Sequence, residues 1–218
     1  MIPHYDVLIA TPGSNLSNEY VRSLTATIAD LNQRNISWLW LNQASSLVGN
    51  AREMTTGGDR ILDIDDASPL HGACTYSKIF WIDSDIAWSV DDFVKLYESE
   101  HDIVSGAYLL ADGTTSTIHT AKWPAGVPKT EIVKFQALVA VDLVGFGFVA
   151  VKYGVFERLE RPWFGHLSNP VQNSQGQTLY VTVGEDISWC MKAKSAGFDI
   201  YFDPTVLVTH MKTQPVEW

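Results

Sequence analysis

The chain has 218 residues, which is enough for one α/β domain with at most a small additional lobe. Hydrophobic residues make up 46% of it, so a full core can form without disulfides or a structural metal. The formal net charge is −10 and no run of Lys or Arg occurs, which excludes non-specific nucleic-acid binding through a basic stripe. An anionic phosphate ligand would have to be neutralised locally, by a cation or by a few placed basic side chains.

Cellular location is indicated by what the sequence lacks. The first residues have neither the basic flank nor the apolar run of a signal peptide, and no stretch approaches the ~18 apolar residues of a membrane span. Cys74 and Cys190 lack metal-type spacing and are interpreted as buried thiols in a reducing compartment. We therefore expect a cytosolic protein, in a cell or a virus-infected cell, or one domain of a longer protein.

In the first half of the chain, apolar runs alternate with helical patterns, which predicts a mostly parallel sheet flanked by helices. Strands are predicted at 5–10, 36–41, 78–82 and 103–105, and helices at 18–34, 47–56 and 91–98. Residues 59–76 are interpreted as a loop or short surface excursion, because Asp63, Asp65 and Asp66 alternate with apolar residues and Pro69 and Gly72 break the pattern. An acidic Ca²⁺ loop is the alternative, although the spaced glycine and final Glu of an EF-hand are missing.

The second half continues the alternation less regularly. Residues 135–144 and 146–151 are strand-like, 153–159 predicts a short helix, and 199–202 a late strand. Residues 168–176 are rich in Asn, Ser, Gln and Gly, which predicts a mobile loop. A helix is predicted from Gly184 to Gly197. Trp163 and Trp123 fall in loop-like contexts, so we consider them as platforms for a sugar or acceptor.

The first chemical signal is the sequence Asp83-Ser84-Asp85, directly after a buried-type strand. Residues i and i+2 of an extended segment point to the same side, so the two carboxylates converge at the carboxyl end of the strand. Open α/β sheets bind ligands there, and paired carboxylates suit a divalent cation whose shell is completed by phosphate and water. The alternative for an isolated Asp-x-Asp is a solvated start of a loop.

Three further sets of residues each allow a functional and a purely structural interpretation. Glu185 and Asp186 open a helix, where acidic residues stabilise the helix dipole but also suit a base that faces an acceptor hydroxyl. His210 is either structural or, beside two carboxylates, part of a mixed N/O site that suits Mn²⁺. Arg52, in Asn50-Ala51-Arg52, either grips a phosphate or nucleobase edge or forms a surface salt bridge.

The order of these motifs resembles that of GT-A glycosyltransferases over roughly residues 5–212, and in particular the compact GT-A domains of large algal viruses and bacteriophages. The shared elements include Thr11-Pro12, the Asn/Arg pair, the Asp-Ser-Asp, a Val-Gly-x-Gly-Phe segment and the run GEDISWCMKAKSAGFDIYFDPTVLVTH at Gly184–His210. The resemblance implies a single Rossmann-like GT-A domain over 1–218, with nucleotide binding in its N-terminal part and acceptor binding in its C-terminal part. The stretch 57–76 is longer than the family pattern leads us to expect.

The resemblance also implies roles for individual residues. Thr11 and Pro12 would line the nucleoside pocket, and Gly145 to Phe148 would border the acceptor. Asp85 and His210 would bind the metal directly, while Asp83 would contact the ribose, the metal or its water. Asp186 would act as the base of an inverting transfer, with Glu185 as a helix-start or acceptor-positioning group. The same placement also fits a retaining transfer, in which the carboxylate only orients the sugar. The nucleotide-binding set comprises Thr11, Pro12, Arg52, Asp83, Ser84 and Lys212.

We therefore expect a metal-dependent glycosyltransferase that moves a sugar from a nucleotide-diphosphate donor, UDP by family habit, to a hydroxyl acceptor on a glycan or glycoconjugate. Mn²⁺ is the expected cofactor, with Mg²⁺ as the alternative. One rival is a sugar-phosphate nucleotidyltransferase, although the segment Thr11–Asn15 lacks the Gly-rich, Arg-containing loop that such an enzyme needs. A second rival is a non-catalytic glycan-binding domain of the same fold.

Overall fold

The computed structural model of the chain describes residues 2–57, 68–172 and 175–211. Asp63, Asp65 and Asp66 of the predicted excursion, and Lys212 of the predicted nucleotide-binding set, lie outside these residues. The five described α-helices are α1 Asn18–Gln33, α2 Val48–Thr55, α3 Val90–Glu98, α4 Lys129–Ile132 and α5 Glu185–Ser195. Short 3₁₀ segments lie at Pro69–Gly72 and Phe156–Arg158.

The strands of the described residues form one large sheet and three small ones. The large sheet contains β1 His4–Pro12, β2 Trp38–Gln43, β3 Thr75–Ile82, β5 Ile103–Ala107, β7 Val139–Val141, β9 Phe148–Lys152 and β12 Ile200–Leu207. The small sheets pair β4 Ile86–Ala87 with β13 Thr209–His210, β6 Ile118–His119 with β8 Leu143–Val144, and β10 Ser168–Gln172 with β11 Thr178–Thr182.

The large sheet has the strand order β2-β1-β3-β9-β5-β12-β7. Strands β2, β1 and β3 are mutually parallel, and β5 is parallel to β12. Strand β9 lies antiparallel between β3 and β5, and β7 is antiparallel at the edge beside β12. The sheet is therefore mostly parallel, as predicted, with two antiparallel strands whose direction the apolar pattern did not reveal.

Both faces of the sheet are buried, which explains why its strands read as continuous apolar runs. In β1, Val7 and Ile9 pack with α1 and α3 on one face, where Tyr20 and Phe93 are fully buried. On the other face, Leu8 and Ala10 belong to a core that includes Trp81, Trp189 and Cys190. Among the described residues, no helix is long and apolar enough to cross a membrane.

Several local predictions are corrected. Of the residues predicted as a mobile loop at 168–176, Ser168–Gln172 form β10, which pairs in antiparallel register with β11. The predicted strand 135–144 contains only the short β7 and β8, and the predicted helix 153–159 is one 3₁₀ turn.

Trp163 is fully buried and donates from Nε1 to the carbonyl oxygens of Phe156 and Leu159, so it is not a sugar platform. Both cysteines are buried, as predicted.

Candidate active site

The candidate site lies where β1 and β3 end, because their parallel pairing brings the following loops to one edge of the sheet. The two loops are tied together: Ser17 N donates to Ser84 O at 2.9 Å. Gly13 has φ +124°, and a Cβ there would lie 2.8 Å from Ser84 Oγ, so this close approach needs glycine. Between the loops a cleft of about 560 Å³ is lined by residues that include Ser84, Asp85 and Met211.

Arg52 is the centre of a buried charge cluster beneath this edge. Its side chain is only 3% exposed, and Nη1 lies 2.5 Å from Glu185 Oε1 while Nη2 lies 3.1 Å from Asp83 Oδ1. The guanidinium also lies 5.7 Å from the ring centre of Phe146 and 5.8 Å from that of Phe164. The surface salt bridge considered from the sequence is wrong. The predicted nucleotide contact is replaced in this structure by two carboxylate partners.

Charge and burial at this site raise the pKa of three groups: Arg52, Asp83 and Asp186. Burial disfavours the charged guanidinium, but Asp83 and Glu185 outweigh this effect and raise the pKa of Arg52. Burial raises the pKa of Asp83 above its ordinary value although Arg52 opposes it, and the nearby charges of Asp85 and Asp186 raise it further. Burial likewise raises the pKa of Asp186, against the pull of Arg52. A carboxylate with a raised pKa is a better proton acceptor, as a general base requires.

Helix α2 is fixed against the start of α5 by close contact. A Cβ on Gly49 would lie 2.9 Å from Phe164 O and 3.3 Å from Glu185 Cβ, so only glycine permits this approach. One turn further along α2, Glu53 Oε1 accepts from Phe164 N at 2.5 Å. These contacts place Arg52 between the Asp-Ser-Asp loop and the first turn of α5.

Asp85 and His210 meet at the mouth of the cleft. Strand β13 pairs with β4, and Met211 N donates to Asp85 O at 2.7 Å, so the backbone holds the two residues together. His210 Nε2 lies 3.1 Å from Asp85 Oδ2. Its other ring nitrogen, Nδ1, lies 3.0 Å from the carbonyl oxygen of Leu109, which can only accept. Nδ1 therefore carries a proton, and Nε2 faces the carboxylate, as a donor in an ion pair when the ring is doubly protonated and as an acceptor when the ring is neutral.

Two acceptor atoms facing each other at this distance require a proton or a cation between them, which tests the predicted metal site. Adjacent ligands of an octahedral cation, each roughly 2.1 Å from it, lie about 3 Å apart. The Asp85–His210 separation fits that geometry, and the Leu109 carbonyl is the outer partner that metal-binding imidazoles usually have. Within the described residues no group of three or more acidic, His or Cys residues is arranged around a metal position. The remaining ligands would come from donor phosphate and water.

Asp83 departs from its predicted place in the metal site. Both of its carboxylate oxygens lie within hydrogen-bond reach of Arg52 Nη2, at 3.1 and 3.3 Å. The structure thus separates the two aspartates of the motif: Asp83 faces the arginine, and Asp85 faces the histidine. Their i, i+2 spacing does bring both carboxylates to the same edge of the sheet.

The residues predicted to line the nucleoside pocket and border the acceptor lie deeper than expected. Thr11 is fully buried, with its hydroxyl bonded to Tyr20 and accepting from Trp40 Nε1 at 3.0 Å. Pro12 is also buried, at the end of β1. Phe146 and Phe148 are fully buried as well. The side chains of Thr11, Pro12, Phe146 and Phe148 are therefore not accessible to a ligand in this structure.

Tyr108 is a site residue that the sequence analysis missed. Its hydroxyl accepts from Gly147 N at 3.0 Å, and burial raises its pKa far above the ordinary value. A Cβ on Gly145 or Gly147 would lie 2.7 or 2.6 Å from this side chain. Its ring also meets the ring of His210 edge-on, with centres 5.2 Å apart. The paired glycines of the Val-Gly-x-Gly-Phe segment were the signal, since they indicate a large side chain packed against the backbone.

Comparison with known proteins supports the fold. No protein-family model and no curated protein matches the sequence. A197 from STIV is 16% identical, with a TM-score of 0.50 over 97% of both chains. The catalytic domain of Drosophila β1,4-galactosyltransferase 7, solved in complex with xylobiose, is 12% identical, with a TM-score of 0.51 over 97% of this chain and 72% of that one. The chain has the predicted single-domain α/β fold of the GT-A type, with a mostly parallel central sheet flanked by helices.

Proposed function

We propose that this protein is a metal-dependent glycosyltransferase that transfers a sugar from a nucleotide-diphosphate donor to a hydroxyl acceptor. The observation that carries the proposal is the pairing of Asp85 with His210 at 3.1 Å, at the mouth of a cleft formed by the β1 and β3 loops. An acidic chain of net charge −10 binds an anionic diphosphate only if a cation or local basic group offsets the repulsion. Bound Mn²⁺, or Mg²⁺, would supply that charge and stabilise the departing diphosphate.

In this proposal the two aspartates of the Asp-Ser-Asp motif have separate tasks. Asp85 and His210 would hold the cation. Asp83, which is fixed by Arg52, faces the donor, whose place in this proposal is the cleft between the β1 and β3 loops. Ser84 lines that cleft. Arg52 couples the donor side to the acceptor side, because its second carboxylate partner is Glu185 in the first turn of α5.

The transfer step is assigned to Asp186 on an inverting route. The acceptor oxygen forms a bond to the anomeric carbon of the donor sugar, and the bond from that carbon to the diphosphate breaks. The electron pair leaves with the diphosphate, and Asp186 takes the acceptor's hydroxyl proton. The raised pKa of Asp186 and its place beside Glu185 support this role.

A thermal-shift screen of nucleotide sugars with and without Mn²⁺ tests the donor site. We expect a UDP-sugar with Mn²⁺ to raise the Tm, because a ligand that binds only the folded state raises the free energy of unfolding. The increase is about 2.7 kcal/mol at a hundredfold excess over Kd. The variants Asp85→Ala and His210→Ala should keep the fold and lose the Mn²⁺-dependent part of the shift. Asp91→Ala, an exposed position in the first turn of α3, is the matched control. A full shift in EDTA, or an undiminished shift in both variants, would contradict the proposal.

A further inference from the structure

The hairpin of β10 and β11 directly precedes α5, the helix that carries the proposed base, in the chain. It is a separate two-stranded sheet, and no other described strand pairs with it. An isolated two-stranded hairpin is at best marginally stable in water, so a hairpin of this kind usually gains from a partner. It leaves apolar groups uncovered: Leu179, Tyr180 and Val181 are 50, 77 and 45% exposed.

The composition of this segment differs from that of the rest of the chain. From Leu167 to Gly184 the sequence contains no charged residue, although charged residues make up 18% of the chain. Solubility alone would favour charged side chains on an exposed hairpin, and native edge strands commonly carry Lys for that purpose. A surface without charge selects against phosphorylated, sulfated and acidic ligands, and against an anionic membrane.

One face of the hairpin carries neutral hydrogen-bonding groups around an aromatic ring, with Pro170 paired directly opposite Tyr180. Side chains alternate along a strand, so Thr178, Tyr180 and Thr182 share a face. Ser168 lies opposite Thr182, and their hydroxyl oxygens are 2.9 Å apart, while Gln172 lies opposite Thr178. Hydroxyl and amide groups both donate and accept, which matches the hydroxyls of an uncharged sugar. Tyr180 adds a flat apolar surface with a polar tip.

The base of the hairpin is continuous with the candidate site. Val183 N donates to Leu167 O at 3.0 Å, and Leu167 N donates to Ser188 Oγ of α5 at 3.0 Å. The next residues after Val183 are Gly184, which caps α5, and then Glu185 and Asp186. A ligand on the Tyr180 face therefore lies on an element anchored to the helix that carries the proposed base.

We infer that the β10–β11 hairpin is an acceptor-binding arm for a neutral, uncharged glycan. Tyr180 stacks on a sugar ring, and the surrounding hydroxyl and amide groups bond to its hydroxyls. The statement that the bound glycan is the acceptor rests on the proposed function. The binding itself needs neither donor nor metal. A second copy of the chain could also cover the exposed apolar residues, and the experiment separates the two occupants.

Saturation-transfer NMR on the full chain, without nucleotide or metal, tests the arm. The probes are neutral oligosaccharides (xylo-, cello-, manno- and chito-oligosaccharides) and acidic ones (oligogalacturonate and a sulfated glycan). We expect signals from at least one neutral series and none from the acidic ones. Tyr180→Ser should weaken that binding about two- to tenfold. Tyr153→Ser is the matched control, because Tyr153 is also exposed but follows β9 at the opposite edge of the sheet from Asp83.

Three results would overturn the inference. They are preferential binding of the acidic probes, no binding of any neutral probe at millimolar concentration, and unchanged binding by Tyr180→Ser. Light scattering on the same samples tests the second occupant: a dimer that Tyr180→Ser dissociates assigns the arm to self-association and also overturns the inference. Release of nucleoside diphosphate from a donor, measured separately, reports on the proposed function. A chain that binds neutral glycan through Tyr180 but turns over no donor would refute that function and leave the arm in place.

Discussion

The buried guanidinium of Arg52 joins carboxylates from distant parts of the chain. Asp83 comes from the loop after β3 and Glu185 from the first turn of α5, so one side chain fixes both relative to α2. A buried ion cluster of this kind gives no assured gain in stability, because desolvation offsets the attraction. Its value here is geometric, since it sets the distance between the loop after β3 and the first turn of α5.

Asp186→Asn tests the base assignment. The amide keeps the shape of the side chain but cannot accept the proton, so turnover should fall by roughly 10²–10⁴-fold while donor affinity stays nearly unchanged. Because the folded-state pKa of Asp186 is raised, its ionised form costs stability as the pH rises through that pKa. The Asn variant removes this cost, so its Tm at neutral pH should equal or exceed that of the wild type.

The pH profile gives a second check on Asp186. A base must be deprotonated, so the rate should fall as the pH drops through its raised pKa. The acidic limb is thus expected above the ordinary aspartate value of 3.8, and it should be absent from the residual activity of Asp186→Asn. Loss of donor binding in the variant would move Asp186 to the donor site. A product that keeps the donor's anomeric configuration, seen by NMR, would replace the inverting route with a retaining one.

For individual residues, the sequence predicted which side chains belong to the site better than it predicted which side chains they contact. It predicted that Asp85 and His210 belong together, and the structure places them 3.1 Å apart. It gave Arg52 to the nucleotide, because nothing local shows that Gly49 lets α2 approach α5 closely enough for Arg52 to reach Glu185. Tyr108 was missed for the same reason, since its packing depends on glycines far away in the sequence.

Among the elements, α2 depends on Gly49 more than its helical position suggests. Replacing a helical Gly with Ala ordinarily stabilises a helix by ~1 kcal/mol. Here the new methyl group would press on the Phe164 carbonyl at 2.9 Å, and that carbonyl is backbone with little freedom to move. We therefore expect Gly49→Ala to lower the Tm by roughly 2–8 °C and to reduce activity further, because Arg52 shifts away from Glu185.

Asn50→Ala provides the matched control in the same helix. Asn50 is exposed, so this substitution gains helix propensity without a clash, and its Tm should stay equal to the wild type or rise. If Gly49→Ala is as stable as Asn50→Ala and equally active, the close approach of α2 to α5 has no importance for the site.

Element predictions succeeded where periodicity was strong and failed where tertiary pairing decided the outcome. The helix opening at Gly184 and the strands β1 and β3 were predicted within a few residues. Strand β10 was taken for part of a loop at 168–176 because Asn, Ser, Gln and Gly are poor strand formers, and the antiparallel pairing with the Thr178–Thr182 segment overrides that preference. The antiparallel direction of β9 was also hidden, since a strand buried on both faces looks alike in either direction.

For the molecule as a whole, the alternation of apolar runs and helical patterns was enough to predict the α/β class. The identity of the site residues came from the resemblance to GT-A enzymes and not from composition. The net charge of −10 remains the global property that most restricts the chemistry, because the proposed nucleotide-diphosphate donor would approach a strongly acidic protein. The account depends on local neutralisation at Asp85 and His210.

The most direct test is ³¹P NMR of the phosphorus products formed from UDP-sugars by the full chain, with Mn²⁺ and with EDTA, in the presence of a neutral glycan. The account predicts release of nucleoside diphosphate that requires Mn²⁺ and disappears in Asp85→Ala. Three results would contradict it. UTP and sugar 1-phosphate formed from the UDP-sugar when pyrophosphate is added, in place of nucleoside diphosphate, would indicate a nucleotidyltransferase. Donor binding without release would indicate a glycan-binding domain. Equal release in EDTA would remove the metal from the reaction.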